Sequence, residues 1–398
     1  MSVAAPLLTT LERRLLPLVA AQGLVTSLWG FCGVFAYNIG GLAAAQRYAV
    51  LMLTTTMLGV TLGYGAGRWF HLRSQRLVQA AFVWPGLLLW WADGHPDVLA
   101  VAFGSFLGLG WAGRHWLEVN LLPDAERDRY ASHVTVLTVA MNLLATLATT
   151  LLLTWFDEQV APVLRAYAVL CLLAAAVVAR GVPETPRVRL VSPWGVVSQP
   201  EFVRCLPLFM LESGLLGVAM VLGASGAVRS LGAASHFGWL STAATLVGAL
   251  ALFALRRHRH AHNRARWMAF AGTGVVLASL LLGASAWWPA LYGAHLVLQA
   301  GVGPFWAASE QVLNQRTLDI KGAVADRIAA RETTLWAFRM VGLGGFWLLA
   351  QRLDDRTLLG VGAGLMACAT ALEYGLGRLW LRRQPQPVTG ATVLVSGD

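Results

Sequence analysis

Leu122-Pro123-Asp124-Ala125-Glu126-Arg127-Asp128-Arg129-Tyr130-Ala131 is a charged island between two long apolar runs. Its last four residues are matched, three of them identically, by Asp326-Arg327-Ile328-Ala329, an offset of 198 from Asp128 to Asp326. The same offset pairs Thr135 with Thr333 and Leu137 with Leu335. Upstream of the first island stands Gly108-Leu109-Gly110-Trp111-Ala112. Upstream of the second, after a small gap, stand Gly301-Val302-Gly303 and Phe305-Trp306-Ala307. The offset is close to half of the 398 residues, which predicts a duplicated chain with one island at the same place in each half.

A helix crosses the hydrocarbon core of a bilayer in about 20 residues. Reading outward from the islands, apolar runs of that length fall near 15–37, 47–67, 77–92, 97–119, 132–155 and 160–180. Six more follow near 204–227, 233–255, 267–286, 289–313, 332–351 and 357–380. The chain is 57% hydrophobic and only 13% charged. Soluble domains average about a quarter charged residues, so lipid is the solvent that suits this surface. The 30 basic residues test the number of runs, since positive charge resists translocation. With an even number of crossings and the first terminus inside, 23 fall inside, five outside (Arg47, Arg165, Arg229, Arg352, Arg356) and two within runs (Arg114, Arg339). That asymmetry predicts twelve spans with both termini cytoplasmic. The first run has the length of a span and lacks a clear cleavage site, so it is not read as a leader.

The fold class expected is therefore all-α and integral to the membrane: twelve transmembrane helices in two pseudo-symmetric six-helix bundles. The bundles are expected at 1–180 and 204–383, joined by a cytoplasmic linker at 181–203, with 384–398 as a disordered tail. Two similar halves side by side are a transporter architecture, with solute bound between them near the midplane.

Several segments resemble the major facilitator superfamily. Pro183-Glu184-Thr185-Pro186-Arg187 is similar to the PETxxR/PESPR signature that closes the first half in that family. Gln199-Pro200-Glu201-Phe202-Val203-Arg204-Cys205-Leu206 looks like the approach to its seventh span, and residues 122–129 resemble its loop between spans four and five. Gly63-Tyr64-Gly65-Ala66-Gly67-Arg68, followed by Arg73, stands where the family has GxxxDRxGRR, with Gly67 in place of the aspartate and Phe70 in place of the second glycine. The resemblance runs from the first span to the twelfth. It implies a bacterial cytoplasmic-membrane carrier that works by rocking its halves. It also implies that span two, with Gly59, Gly63 and Gly67 one turn apart, packs against span eleven, which carries Gly342, Gly344 and Gly345.

Charges inside spans are expensive and are functional candidates by default. Glu212, eight residues into span seven, is read as a proton-coupling or cation-binding carboxylate. Arg339, seven residues into span eleven, is read as its partner or as an anion contact. Arg114, Glu118 and Glu310 near matching span ends, with Arg68, Arg129, Asp326 and Arg327 in the loops, are candidates for a cytoplasmic gate that pairs and unpairs. Inner-end snorkelling is the competing reading. Gln22, Thr26 and Trp29 in span one and Asn142 in span five are candidate cavity walls. A cavity with few fixed charges suits an amphipathic organic solute.

Other classes fit poorly. Gly223-Ala224-Ser225-Gly226 with His295 resembles a rhomboid protease pair, but Leu298 stands where the histidine motif needs glycine. Asp354-Asp355 is a lone acidic pair, too little for a prenyltransferase. No nucleotide-binding loop appears, so an ion or solute gradient is the expected energy source. The histidines at 258, 260 and 262 alternate with arginines, which oppose a cation, so the loop is read as a lipid or topology anchor. No cofactor, metal or nucleic acid is called for. The expected partners are a small solute, protons and lipid, with the chain acting as a monomer. Proton-coupled export is the leading reading; symport uptake and facilitated diffusion are the alternatives.

Overall fold

The computed structural model describes residues 10–122, 124–182, 187–255, 258 and 263–382. With no water in the hydrocarbon core, an apolar segment must satisfy its own backbone, and the helix does so locally. The described residues form α1 (Thr10–Phe70), α2 (Ser74–Trp91), α3 (Pro96–Leu121), α4 (Asp124–Trp155), α5 (Val160–Gly181) and α6 (Pro193–Val197). They continue as α7 (Pro200–Ser213), α8 (Leu216–Leu231), α9 (Ala234–Leu255), α10 (Arg264–Ala284), α11 (Ala290–Thr317), α12 (Val324–Ala350) and α13 (Asp355–Arg382).

Two of these elements differ from the expected spans. The loop expected between residues 37 and 47 is a corner at Gly40 and Gly41 within the 61-residue α1, where Gly41 takes φ 62° and ψ −151°. Only glycine enters that region freely, so the corner needs no longer connection. The single seventh span expected at 204–227 is instead α7 and α8, interrupted at Gly214 and Leu215. Among the described residues, nine stretches have the length and hydropathy of a span, and the first, of 60 residues, serves two passes. With α2 and α11 the passes number twelve.

In the first group α1 packs on α3, α4 and α5, and α2 packs on α3 and α5. In the second, α10 packs on α11 and α13, α11 on α9, and α12 on α7 and α8. The groups meet through α1 with α8, α4 with α9, and α1 with α12.

The segment after α5 ties the groups together. Val188 N–H donates to the Leu72 carbonyl at 2.9 Å, and Gln75 donates to the Val182 carbonyl at 2.6 Å. On the other side, Asp326 accepts the backbone N–H groups of Val191 and Ser192 at 2.8 and 3.0 Å. Residues 183–186, which carry most of the PETPR signature, and most of the histidine-arginine loop lie outside the described residues.

The glycine ladder of α1 does not face α12. A Cβ on Gly59 would sit 3.1 Å from Gly108 Cα in α3, one on Gly63 would meet Leu109 and Leu77, and one on Gly67 would press on the Val188 carbonyl. The ladder therefore seats α3 and the linker. Small residues permit close approach without naming the partner, so the spacing alone could not choose between α3 and α12. Spans two and eleven still touch, through the Trp336 indole donating to Thr54 at 3.2 Å.

Candidate functional site

A cavity of about 330 Å³ lies where α4 of the first group meets α9 and α11 of the second. Val134, Val139, Ala300, Pro304 and Ala307 give it alkyl walls; Thr138, Asn142 and Thr245 give it a few polar atoms. The Asn142 Oδ1 is buried and has no hydrogen-bond partner among the described residues. Pockets that hold small molecules start at about this size. The other expected wall residues are engaged elsewhere. Gln22 is buried, donates to the Gly110 carbonyl at 3.3 Å and accepts from Arg114 at 3.4 Å. Thr26 donates to the Gln22 carbonyl at 2.7 Å, and Trp29 packs on the apolar core.

Beside this cavity, inside the second group, sits a cluster of buried charge. Glu212 Oε1 accepts from Arg331 at 2.7 Å, and Arg331 also donates to Glu332 at 2.9 Å. The Arg331 guanidinium lies 5.5 Å from the centre of the Phe209 ring, a cation–π arrangement. Arg339 is buried too, but it is not the direct partner of Glu212. It donates to the Ser213 hydroxyl at 2.7 Å and stands 3.9 Å from Glu332. Glu310 and Glu373 complete the cluster, side chain to side chain, with Trp306 beside Glu310. Sequence reading missed Arg331 and Glu332 because it began span eleven at 332. α12 begins at Val324, so both residues lie well inside it.

Of the expected gate residues, Arg114, Glu118 and Arg129 pair within the first group. Arg114 donates to Glu118 at 2.7 Å, and Tyr130 donates to the same carboxylate at 2.9 Å. Arg129 pairs with Glu12 at 3.3 Å, and Arg68 is exposed at the end of α1. Arg327 donates to the carbonyls of Leu318 and Ile320, at 2.5 and 3.2 Å, and so fixes the loop before α12. Among the described residues, an ion pair crosses between the groups on this face from Arg127 to Asp319 at 3.0 Å, with Arg127 buried. Arg127 stands in the first charged island, which was the available signal. Asp319 lies in the loop just before the second.

On the opposite face, Glu158 accepts the Ser235 N–H at 3.2 Å, and Phe31 meets Phe237 edge to face at 5.3 Å. There too, hydrogen bonds from Thr357, the side chain foremost, hold the Asp354 carboxyl below the usual aspartate range as it caps α13. Ser225, of the protease-like motif, is buried in α8, while His295 Nδ1 is bonded to the Ala278 carbonyl at 2.8 Å.

No family model matches the sequence, and no curated protein is detectably similar to it. Solved structures do match. The nucleoside transporter NupG is 11% identical over 94% of this chain and 100% of its own, with a TM-score of 0.59. The proton:xylose symporter XylE of E. coli, a major facilitator superfamily protein, is 14% identical over 94% and 96%, with a TM-score of 0.67. A bacterial homologue of the iron transporter ferroportin, in an outward-facing state, is 16% identical over 94% and 100%, with a TM-score of 0.58. The chain has the fold of the major facilitator superfamily.

Proposed function

We propose that the chain is a secondary carrier that exports a small amphipathic organic solute in exchange for protons, by alternating access between its two six-helix halves. The cavity shared by α4, α9 and α11 is the observation that carries this reading. It is walled from both halves, so a relative motion of the halves would open it to one side and then the other. Its alkyl walls and few neutral polar atoms fit a solute with an apolar body and one or two hydrogen-bonding groups, rather than a polyhydroxylated sugar. The buried glutamates beside it supply groups that can exchange protons, and charges within spans mark ion pathways by default.

The test is solute flux in proteoliposomes under an imposed pH gradient, using a panel of amphipathic organic cations and neutral compounds. Accumulation driven by protons moving the opposite way supports antiport. Glu212→Gln, which weakens the tie to Arg331, is expected to reduce gradient-driven flux at least tenfold while leaving solute binding measurable. Flux indifferent both to the gradient and to that substitution would make the protein a facilitator. Accumulation on the side that protons enter would make it a symporter.

A further inference from the structure

Glu310 on α11 and Glu373 on α13 are left over when the buried charges are matched to partners. Arg331 is taken by Glu212 and Glu332, and Arg339 by Ser213 and Glu332. Four carboxyl groups thus share two guanidinium groups among the described residues of this cluster. Glu373 is 3% exposed, and among the described residues its Oε1 meets no hydrogen-bond donor. The Glu310 carboxyl lies beside it, where α11 and α13 come together: Trp306 and Tyr374 both close on Gly272, and Leu313 closes on Gly377. Glu310 is partly buried, and two neighbouring carboxylates, one of them taken out of water, cannot both carry charge without strong repulsion. One proton removes the conflict: a hydronium ion gives its proton to one carboxylate and leaves as water, and the new O–H donates to the other carboxylate. No other ligand needs so little room.

We propose that Glu310 and Glu373 hold one exchangeable proton between them and form the ion site through which a proton gradient drives this carrier. The second clause rests on the transport reading above; the first does not.

The position suits the role. Gly303 and Ala307 line the cavity, and Glu310 and Asn314 follow them at helical spacing, so one stripe of α11 runs from the cavity to the carboxyl pair. Asn314 Oδ1 is also buried and meets no donor among the described residues, one turn nearer the linker face. A solute in the cavity is therefore a single turn from the pair, close enough for its arrival to change the packing around Glu310. Glu212 is less suited to hold the proton, because one of its oxygens is committed to Arg331. The charged groups facing the pair are Glu212 from α7 and Arg331 from α12, with Glu332 and Arg339 behind them. On α13 itself, Arg378 lies one turn on and is engaged with the Tyr374 hydroxyl at 3.4 Å. From α10, Gly272 approaches Trp306 and Tyr374, and Met268 approaches Gly377, which Leu313 of α11 also meets.

The full chain reconstituted in lipid, with no solute present, tests the pair by infrared titration of the carboxyl C=O stretch. The expected result is a protonated-carboxyl band that persists through neutral pH and disappears on the alkaline side. Glu310→Gln and Glu373→Gln each remove the repulsion that holds the last proton, so each should move the midpoint down by about one pH unit or more. Glu201→Gln, on the surface of α7, should leave it in place. Glutamine has the shape of a protonated glutamate, and melting temperatures confirm that the variants fold. Glu373→Asp, which keeps a carboxyl, should keep the band. A midpoint unmoved in both glutamine variants overturns the proposal. So does a wild-type midpoint that shifts with sodium or potassium at fixed pH, which would make the pair a metal-cation site. In proteoliposomes the glutamine variants should retain exchange between equal solute pools and lose accumulation driven by pH. If the wild type moves no solute, the transport reading fails, while the titration still decides whether the pair holds a proton.

Discussion

Arg331 lies about two turns inside α12, between Glu212 and Glu332, and nearly everything around it is apolar or acidic. Replacing it with methionine keeps the bulk but strands two buried carboxylates. Breaking a buried pair from one side costs about 3–5 kcal/mol, because the remaining charge is left uncompensated. Arg331→Met should therefore lower the melting temperature in detergent sharply, while Arg204→Met, at an exposed position, should change stability by less than about 0.5 kcal/mol. A wild-type melt for Arg331→Met would show that the cluster does not depend on its cation. Glu212 and Arg339 were legible as buried charges, since an ionised group in an apolar run is costly wherever it points. Their partners were not legible. A residue at the start of a span reads as a loop cation until the helix is seen to begin earlier, and pairing between α7 and α12 is a tertiary fact with no sequence spacing behind it.

Among the elements, the corner in α1 depends on one backbone conformation. Gly41 occupies a region that side chains resist, at a cost of about 1–3 kcal/mol for a non-glycine residue. Gly41→Ala should destabilise the protein by that amount, read as a lower melting temperature. Gly30→Ala, where a Cβ meets nothing within 4 Å, should not. Equal effects from both would mean that the corner relaxes easily. The break between α7 and α8 is set differently. The Gly214 carbonyl lies so close to Gly342 that no Cβ fits between them. Gly342→Ala should push α12 away from the seventh pass, again lowering the melting temperature. Glycines at 342, 344 and 345 announced close packing of span eleven, but Gly344 and Gly345 face open space. Small side chains mark where a backbone can come near, and only the fold says which one does.

For the molecule as a whole, the repeat and the arginine asymmetry carried far more information than any single motif, because each sums many weak residues into one topological statement. They made the twelve passes legible, apart from the Gly40–Gly41 corner and the broken seventh pass. The orientation they imply is testable by placing Cys at Ser198, in the linker, or at Gln159, on the opposite face, in a protein whose exposed Cys368 is replaced by serine. A membrane-impermeant maleimide added to intact cells should label Gln159→Cys and spare Ser198→Cys; the reverse would put the termini outside. The rocking motion proposed above would have to break contacts on the two faces in turn: Arg127 with Asp319 on the linker face, Glu158 with Ser235 on the other. The first is partly solvated at Asp319, so its worth is on the order of 1 kcal/mol, enough to shift a two-state balance roughly five-fold. Arg127→Gln should therefore bias the halves apart on the linker face. A cysteine in place of Asn142, which lines the cavity, should then react about five-fold faster with a soluble maleimide applied from that side. The same cysteine should react more slowly from the opposite side, because the two openings exclude each other. Equal acceleration from both sides would mean that Arg127 stabilises the fold without choosing between its states, and an unchanged rate would remove the pair from the gating cycle.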